Sequence, residues 1–367
     1  MTHMATLARQ RISVAPAQRA PARLKDDAAM LKAAANLTRD LNQPDARIFW
    51  ADMLGSALVG YAGLLAAMFF TSGAFAVAPA IVTILALYRA GSFIHELIHI
   101  RKGALRGFRL VWNLMVGAPL LVPSFMYEGV HNQHHAKTYY GTANDPEYLP
   151  LALMRPWTLP LFLVAAALAP VLLFVRFAVL APLSLIFPAL RRLVVSRYSG
   201  LQINPQFRRS PPTGRFKRDW AWQETACSLW AIGLLGLTAA GVLPLRAFLV
   251  FLGVAAGMMM LNQLRTLVAH LWENDGEPMS VTAQYLDSVN VPPPATLPAL
   301  WAPVGLRYHG LHHLLPGLPY HNLGEAHRRL CRELEGGSLY HRSSHRGMVP
   351  LLTRLAASSL TNRRNSA

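Results

Sequence analysis

Cysteine is nearly absent from this chain of 367 residues: only Cys227, in an apolar stretch, and Cys331, in a basic one. That pair supports no disulfide framework and no thiolate metal site, so any bound metal is held by nitrogen and oxygen. Charge is scarce too. Only 14% of residues are charged, against about a quarter in soluble domains. Acidic residues are the scarcer sign, 18 against 35 basic, for a formal net charge of +17. The basic residues flank hydrophobic runs rather than interleaving with aromatics on a charged domain, which argues against nucleic acid as a partner. No His-Pro-Gly-Gly haem signature, iron–sulfur cysteine set or dinucleotide fingerprint occurs. Any electrons the protein uses therefore come from a separate carrier.

What the chain has in quantity is apolar sequence, 53% of its residues, gathered into long blocks. Roughly 20 residues of helix cross a bilayer core. Residues 54–70 and 74–94 form two such runs around the uncharged turn Thr71-Ser72-Gly73. Residues 226–242 and 245–261 form another hairpin. Between them, residues 157–175 and 177–190 are separated by Arg176 and broken by Pro182 and Pro188. They read as either a cramped hairpin or one bent element. Residues 110–126, interrupted by Asn113, Gly117, Pro119 and Pro123, read as lying in the membrane interface. The pattern predicts an all-α polytopic membrane protein with four, or six, transmembrane helices and a cytoplasmic helical cap. The basic loop 191–218 fixes the inner side, as cytoplasmic loops carry the excess of Arg and Lys. Residues 1–46 hold no apolar stretch long enough for a secretory signal and read as a disordered cytoplasmic leader. Residues 47–335 read as the membrane domain and 336–367 as a basic C-terminal tail.

Eight of the fourteen histidines stand in three clusters: His95 and His99; His131, His134 and His135; His309, His312 and His313. On a helix, positions i, i+3 and i+4 share a face, so each cluster is expected to point its imidazoles one way. His270 follows an apolar run directly and makes a ninth. The topology places all nine on one side of the bilayer. Neutral imidazole suits iron, zinc, copper and nickel, and nine nitrogens exceed the needs of one ion, so the set suits two metals. Glu96, Glu128, Asp145, Glu273 and Asp275 are the carboxylates expected to ligate or to orient the rings. His3, His321, His327, His341 and His345 are left to tails and packing. One local rival exists: His95-Glu96-Leu97-Ile98-His99 fits the HExxH helix of zinc proteases, which leaves the other clusters unexplained.

An HxxxH, an HxxHH and a final HxxHH distributed between membrane hairpins resemble the membrane fatty acid desaturase superfamily, which includes lipid and carotenoid hydroxylases. Residues 319–323 and 265–270 look like its bacterial members. The resemblance covers about residues 50–335. It implies a non-haem di-iron centre on the cytoplasmic face of the inner membrane, with His95, His99, His131, His134, His135, His270, His309, His312 and His313 as ligands. It further implies dioxygen as co-substrate, a ferredoxin-like electron donor, and a tunnel for a lipid acyl chain. Fatty acid desaturation is the expected activity and hydroxylation the alternative. Thr266 stands where the acyl-CoA branch has Asn, and His309 where front-end desaturases have Gln, so neither branch lends its substrate.

Overall fold

The computed structural model describes residues 24–101 and 103–365. Among them there is no strand, only four isolated bridges, and the regular structure is helical. The first helices are α1 (Ala28–Leu37), α2 (Ala46–Leu65), α3 (Val77–His99), α4 (Phe108–Trp112) and α5 (Val130–His134). A middle set follows: α6 (Thr158–Phe174), α7 (Ala181–Ile186), α8 (Pro188–Arg197), α9 (Gly214–Ala239) and α10 (Leu245–Leu267). The last are α11 (Val281–Asp287), α12 (Pro298–Trp301), α13 (His309–Leu314), α14 (Leu323–Glu333) and α15 (Met348–Asn365).

Four helical stretches are long and apolar enough to cross a bilayer: Ala46–Phe70, Gly73–His99, Thr158–Ile186 and Leu245–Leu267, with mean hydropathies of 1.7 to 2.5. Only 22% to 33% of their most apolar windows is buried within the protein. Their outer faces show Leu58, Phe70, Phe75 and Leu185 to the surroundings, an apolar exterior that water does not favour and lipid does. Asp45 starts α2 by accepting a hydrogen bond from Arg47 N at 2.8 Å, satisfying one of the donors that every helix start leaves free. The helices then approach closely because glycine lets them. A Cβ at Gly60 of α2 would lie 2.5 Å from Leu87 of α3, and one at Gly257 of α10 would lie 2.6 Å from Ile84 of α3. Small residues at such crossings admit the dispersion contacts that drive helix association in lipid.

Of the two readings of residues 157–190, the single element is the one found: α6 runs through a π-helical turn, Val175–Leu180, into α7, and only Pro188 breaks the line. Phe187 before that proline is extended, as the proline ring requires of its predecessor. Arg176 consequently lies inside a spanning helix rather than between two. α9 carries Lys217, Arg218, Asp219 and Glu224 in its first half and is not among the four apolar stretches.

The described part of the stretch expected to be a disordered leader is ordered. Asp27 caps α1, and Met30 and Ala34 are buried against Leu323, Ala326 and Leu330; apolar burial outweighs a composition that suggested disorder. Residues 1–23, with His3, lie outside the described residues. Within the expected tail, α15 buries Leu351 and Leu355.

Candidate metal centre

All nine imidazoles converge at one end of the long helices. α3 delivers His95 and His99 from its last turn, a continuation of an apolar helix and hence a rigid support. α5 begins at Gly129, whose φ of 83° turns the chain sharply into the helix bearing His131, His134 and His135. α13 carries His309, His312 and His313, and His270 stands three residues beyond α10. Trp272 beyond it adopts the left-handed conformation, φ 61°, and its indole donates to Leu267 O at 2.9 Å, closing that turn.

The imidazoles form two groups rather than three. His95, His99, His131, His135 and His312 make one; His134, His270, His309 and His313 make the other, with the candidate ligand atoms of each group within 4.8 Å of one another. Each HxxHH motif is thus divided, which corrects the expectation that its three rings point together. At about 100° per residue, positions i and i+4 lie about 40° apart, whereas i+3 and i+4 diverge by a full 100° or so. The pairs His131/His135 and His309/His313 keep company, while His134 and His312 each join the other group. The groups are adjacent: the rings of His135 and His313 stack with centroids 4.3 Å apart.

The donor chemistry fits cations. His131 Nδ1 donates to Glu147 at 2.5 Å and His134 Nδ1 to Asp145 at 3.0 Å. His270 Nδ1 lies 2.8 Å from the Tyr140 hydroxyl, which itself donates to Asp287 at 2.8 Å. A neutral ring protonated at Nδ1 keeps its lone pair on Nε2. Those nitrogens face one another: His131 and His135 at 3.0 Å, His135 and His312 at 3.1 Å, His270 and His309 at 3.0 Å. Both nitrogens of His95 and Nε2 of His99 are buried without a hydrogen-bond partner among the described residues. Converging, unpartnered lone pairs in a buried site are what metal ions satisfy. His309 differs, since its Nδ1 accepts from Arg265 at 3.1 Å; coordination through Nε2 there requires its proton to move and the guanidinium to yield.

Burial pushes His131, His135, His270, His309, His312 and His313 well below the ordinary histidine range, with neighbouring imidazoles adding to the effect. They are neutral at about pH 7, the state a metal needs. For His134 burial again disfavours the charge, but the Asp145 carboxylate outweighs it and raises the pKa. Burial also lifts Glu147 and Asp287 to about 7.

Of the carboxylates expected from sequence, Asp145 supports a histidine. Glu128 pairs with Arg109 and Glu273 with Arg354, and Asp275 is exposed. Glu96 accepts from Tyr320 N at 3.1 Å, so it is anchored to the backbone instead of standing free as a protease base. Glu147, Asp287 and Tyr140 are not apparent from the motifs. Glu147 was discoverable, two residues beyond Asp145 in the polar run after the second cluster; Asp287, seventeen residues after His270, carries no local signal. His321 and His327 join neither group. Arg191 and Arg209 of the basic loop turn inward, to Glu224 and to the carbonyls of Ser199 and Glu128.

A cavity of about 1000 Å³ leads from His95, His131, His134, His270 and His309 along α6 and α10. Leu161, Ala165, Ala169, Leu172 and Arg176 line it from the α6 side, positions at helical spacing that share a face.

The sequence matches the family profile described as Fatty acid desaturase over residues 72–345. It is 50% identical over 331 residues to the Ceramide hydroxylase of Caulobacter vibrioides (strain NA1000 / CB15N), covering 90% of this chain and 94% of that protein. No solved structure matches it.

Proposed function

The chain belongs to the fatty acid desaturase family, and from that premise we propose that it hydroxylates a ceramide-type lipid at an aliphatic C–H bond. The observation that carries this reading is the identity to a ceramide hydroxylase across nearly the whole of both chains. It favours hydroxylation over the desaturation expected from sequence alone. Net, one oxygen atom of dioxygen enters the C–H bond and the other leaves as water, consuming two electrons and two protons from an external donor.

In this proposal the nine histidines hold two iron ions, one in each group. Bound iron with dioxygen supplies an oxidant strong enough to take hydrogen from an unactivated carbon. The chain's residues do the rest. Glu147, Asp145 and the Tyr140–Asp287 pair fix the rings of His131, His134 and His270, so their Nε2 atoms are already aimed. That orientation reduces reorganisation during reaction. The apolar faces of α6 and α10 hold an acyl chain against the centre and keep water out, which prevents wasteful oxidant decay. The four apolar stretches make the protein an integral membrane enzyme. We assign the centre to the cytoplasmic face of an inner membrane, where a soluble ferredoxin-like donor can reach it.

The test is expression in a host supplied with ceramide, followed by mass spectrometry of the lipid. Gain of one oxygen supports the proposal. Loss of two hydrogens without oxygen assigns desaturation instead, and an unchanged lipid alongside a modified free fatty acid removes the ceramide assignment.

A further inference from the structure

The cavity is also polar away from the histidines, around Arg176 and Gln202. Arg176 sits there in the π-helical turn, only 3% exposed although charged. A buried charge in an apolar helix is costly and usually serves a function, and π turns recur at functional sites. Its guanidinium is only partly engaged. Nε donates to Tyr198 O at 2.8 Å, and Nη2 donates to Ser199 Oγ at 3.0 Å and to Glu224. Nη1 is buried and has no hydrogen-bond partner among the described residues.

Gln202 lines the same cavity on the same turn of chain. Its Nε2 donates to Arg197 O at 3.0 Å, which fixes which way the amide faces. The remaining atom, Oε1, is buried and also unpartnered among the described residues. It lies over Gly200, where a Cβ would collide with it; glycine there leaves room for the side chain. Arg176 is held by Ser199 and Gln202 rests on Gly200, so the free donor and the free acceptor are anchored on adjacent residues. Buried polar atoms left unsatisfied cost roughly 1–3 kcal/mol each, and a ligand that completes them recovers that cost.

We propose that Arg176 Nη1 and Gln202 Oε1 form a recognition site for the secondary amide of the lipid substrate, Arg176 donating to its carbonyl oxygen and Gln202 accepting from its N–H. An amide, which both accepts and donates, completes both atoms. A carboxylate or phosphate would satisfy Arg176 but set a negative oxygen against Gln202 Oε1. The site therefore selects N-acylated lipids over free fatty acids. The identity of the lipid as a ceramide rests on the hydroxylase reading; the demand for an amide rests on these two side chains.

The test measures binding, with turnover recorded separately. Full-length, metal-loaded protein in detergent is titrated with radiolabelled ceramide and with its ester isostere, in which oxygen replaces the amide N–H. Wild type is expected to bind the ester about tenfold more weakly, the equivalent of one hydrogen bond. Gln202→Met should bind ceramide about tenfold more weakly than wild type and no longer distinguish the two lipids. Arg176→Lys should weaken both alike, since both keep the carbonyl. Gln202→Met carries the test if Arg176→Lys fails to fold. Equal discrimination between amide and ester in wild type and Gln202→Met overturns the site. If discrimination is found but wild type makes no hydroxylated product, the site stands and the hydroxylase reading falls. Hydroxylated product without discrimination keeps the hydroxylase reading and removes the amide site.

Discussion

The two ends of the cavity meet the same difficulty, buried polar groups beside apolar helices, in opposite ways. At the histidine end the groups are neutral rings, backed by carboxylates and turned toward common points. At the Arg176 end the charges are permanent: Arg176 and Arg191 share one carboxylate, Glu224, with Arg191 at 2.6 Å. The first arrangement is completed by cations; the second makes its ion pairs within the protein and is completed, in the proposal above, by a neutral amide. Burial alone therefore does not mark a metal site. What marks it is lone pairs facing lone pairs.

Deleting a ring erases the contrast most completely. His134→Ala is expected to abolish lipid turnover and release iron, measured by elemental analysis per chain; full iron retention would remove His134 from the ligand set. Next in size is the other end. Glu224→Gln leaves two guanidinium groups without a counter-charge, and losing one partner of a buried pair costs about 3–5 kcal/mol. A large fall in thermal stability is expected, with iron per folded chain unchanged. If iron is lost in proportion, the two ends are not independent.

Removing a supporting carboxylate probes the histidine end more gently. Asp145→Asn and Glu147→Gln should each weaken iron binding about 10- to 100-fold, read by chelator competition. A histidine outside both ends supplies the reference. His327 sits buried beside the Tyr340 hydroxyl at 2.8 Å, and burial lowers its pKa to about 4 from an unfolded value of 6.5. Between those values the unfolded chain binds the extra proton, so the contribution is intact above about pH 6.5 and declines as pH falls toward about 4. His327→Gln should flatten the stability–pH curve by roughly 2–3 kcal/mol across that window and leave neutral-pH iron content alone. The smallest effect is expected for Asp40→Asn, which removes the surface pair with Arg329 and should move neither stability nor iron measurably.

Much of this was legible in sequence for a physical reason. The apolar blocks announce spanning helices because a bilayer demands length and uniformity, and the histidines announce themselves by clustering at short helical spacings. Their division into two groups is also implicit in the step of about 100°, although the i, i+3, i+4 spacing by itself suggests a shared face. Contacts between distant segments were not legible. Nothing near His270 points to Asp287, and nothing near Arg176 points to Glu224 or Gln202, since these pairs depend on how helices pack. The continuity of 158–186 was hidden because Pro182 and Arg176 signal a break by local rules, whereas the helix widens into the π turn Val175–Leu180 and runs on through Pro182.

The widened turn at Val175–Leu180 amounts to a single surplus residue lodged in an otherwise regular rod. Excising one residue there would restore ordinary pitch and leave the helices on either side nearly in place, since the wide turn is what absorbs the extra residue; the change would fall on the turn itself, which carries Arg176. The surplus residue thus re-aims side chains within that turn, Arg176 among them, without re-aiming the rod that carries it.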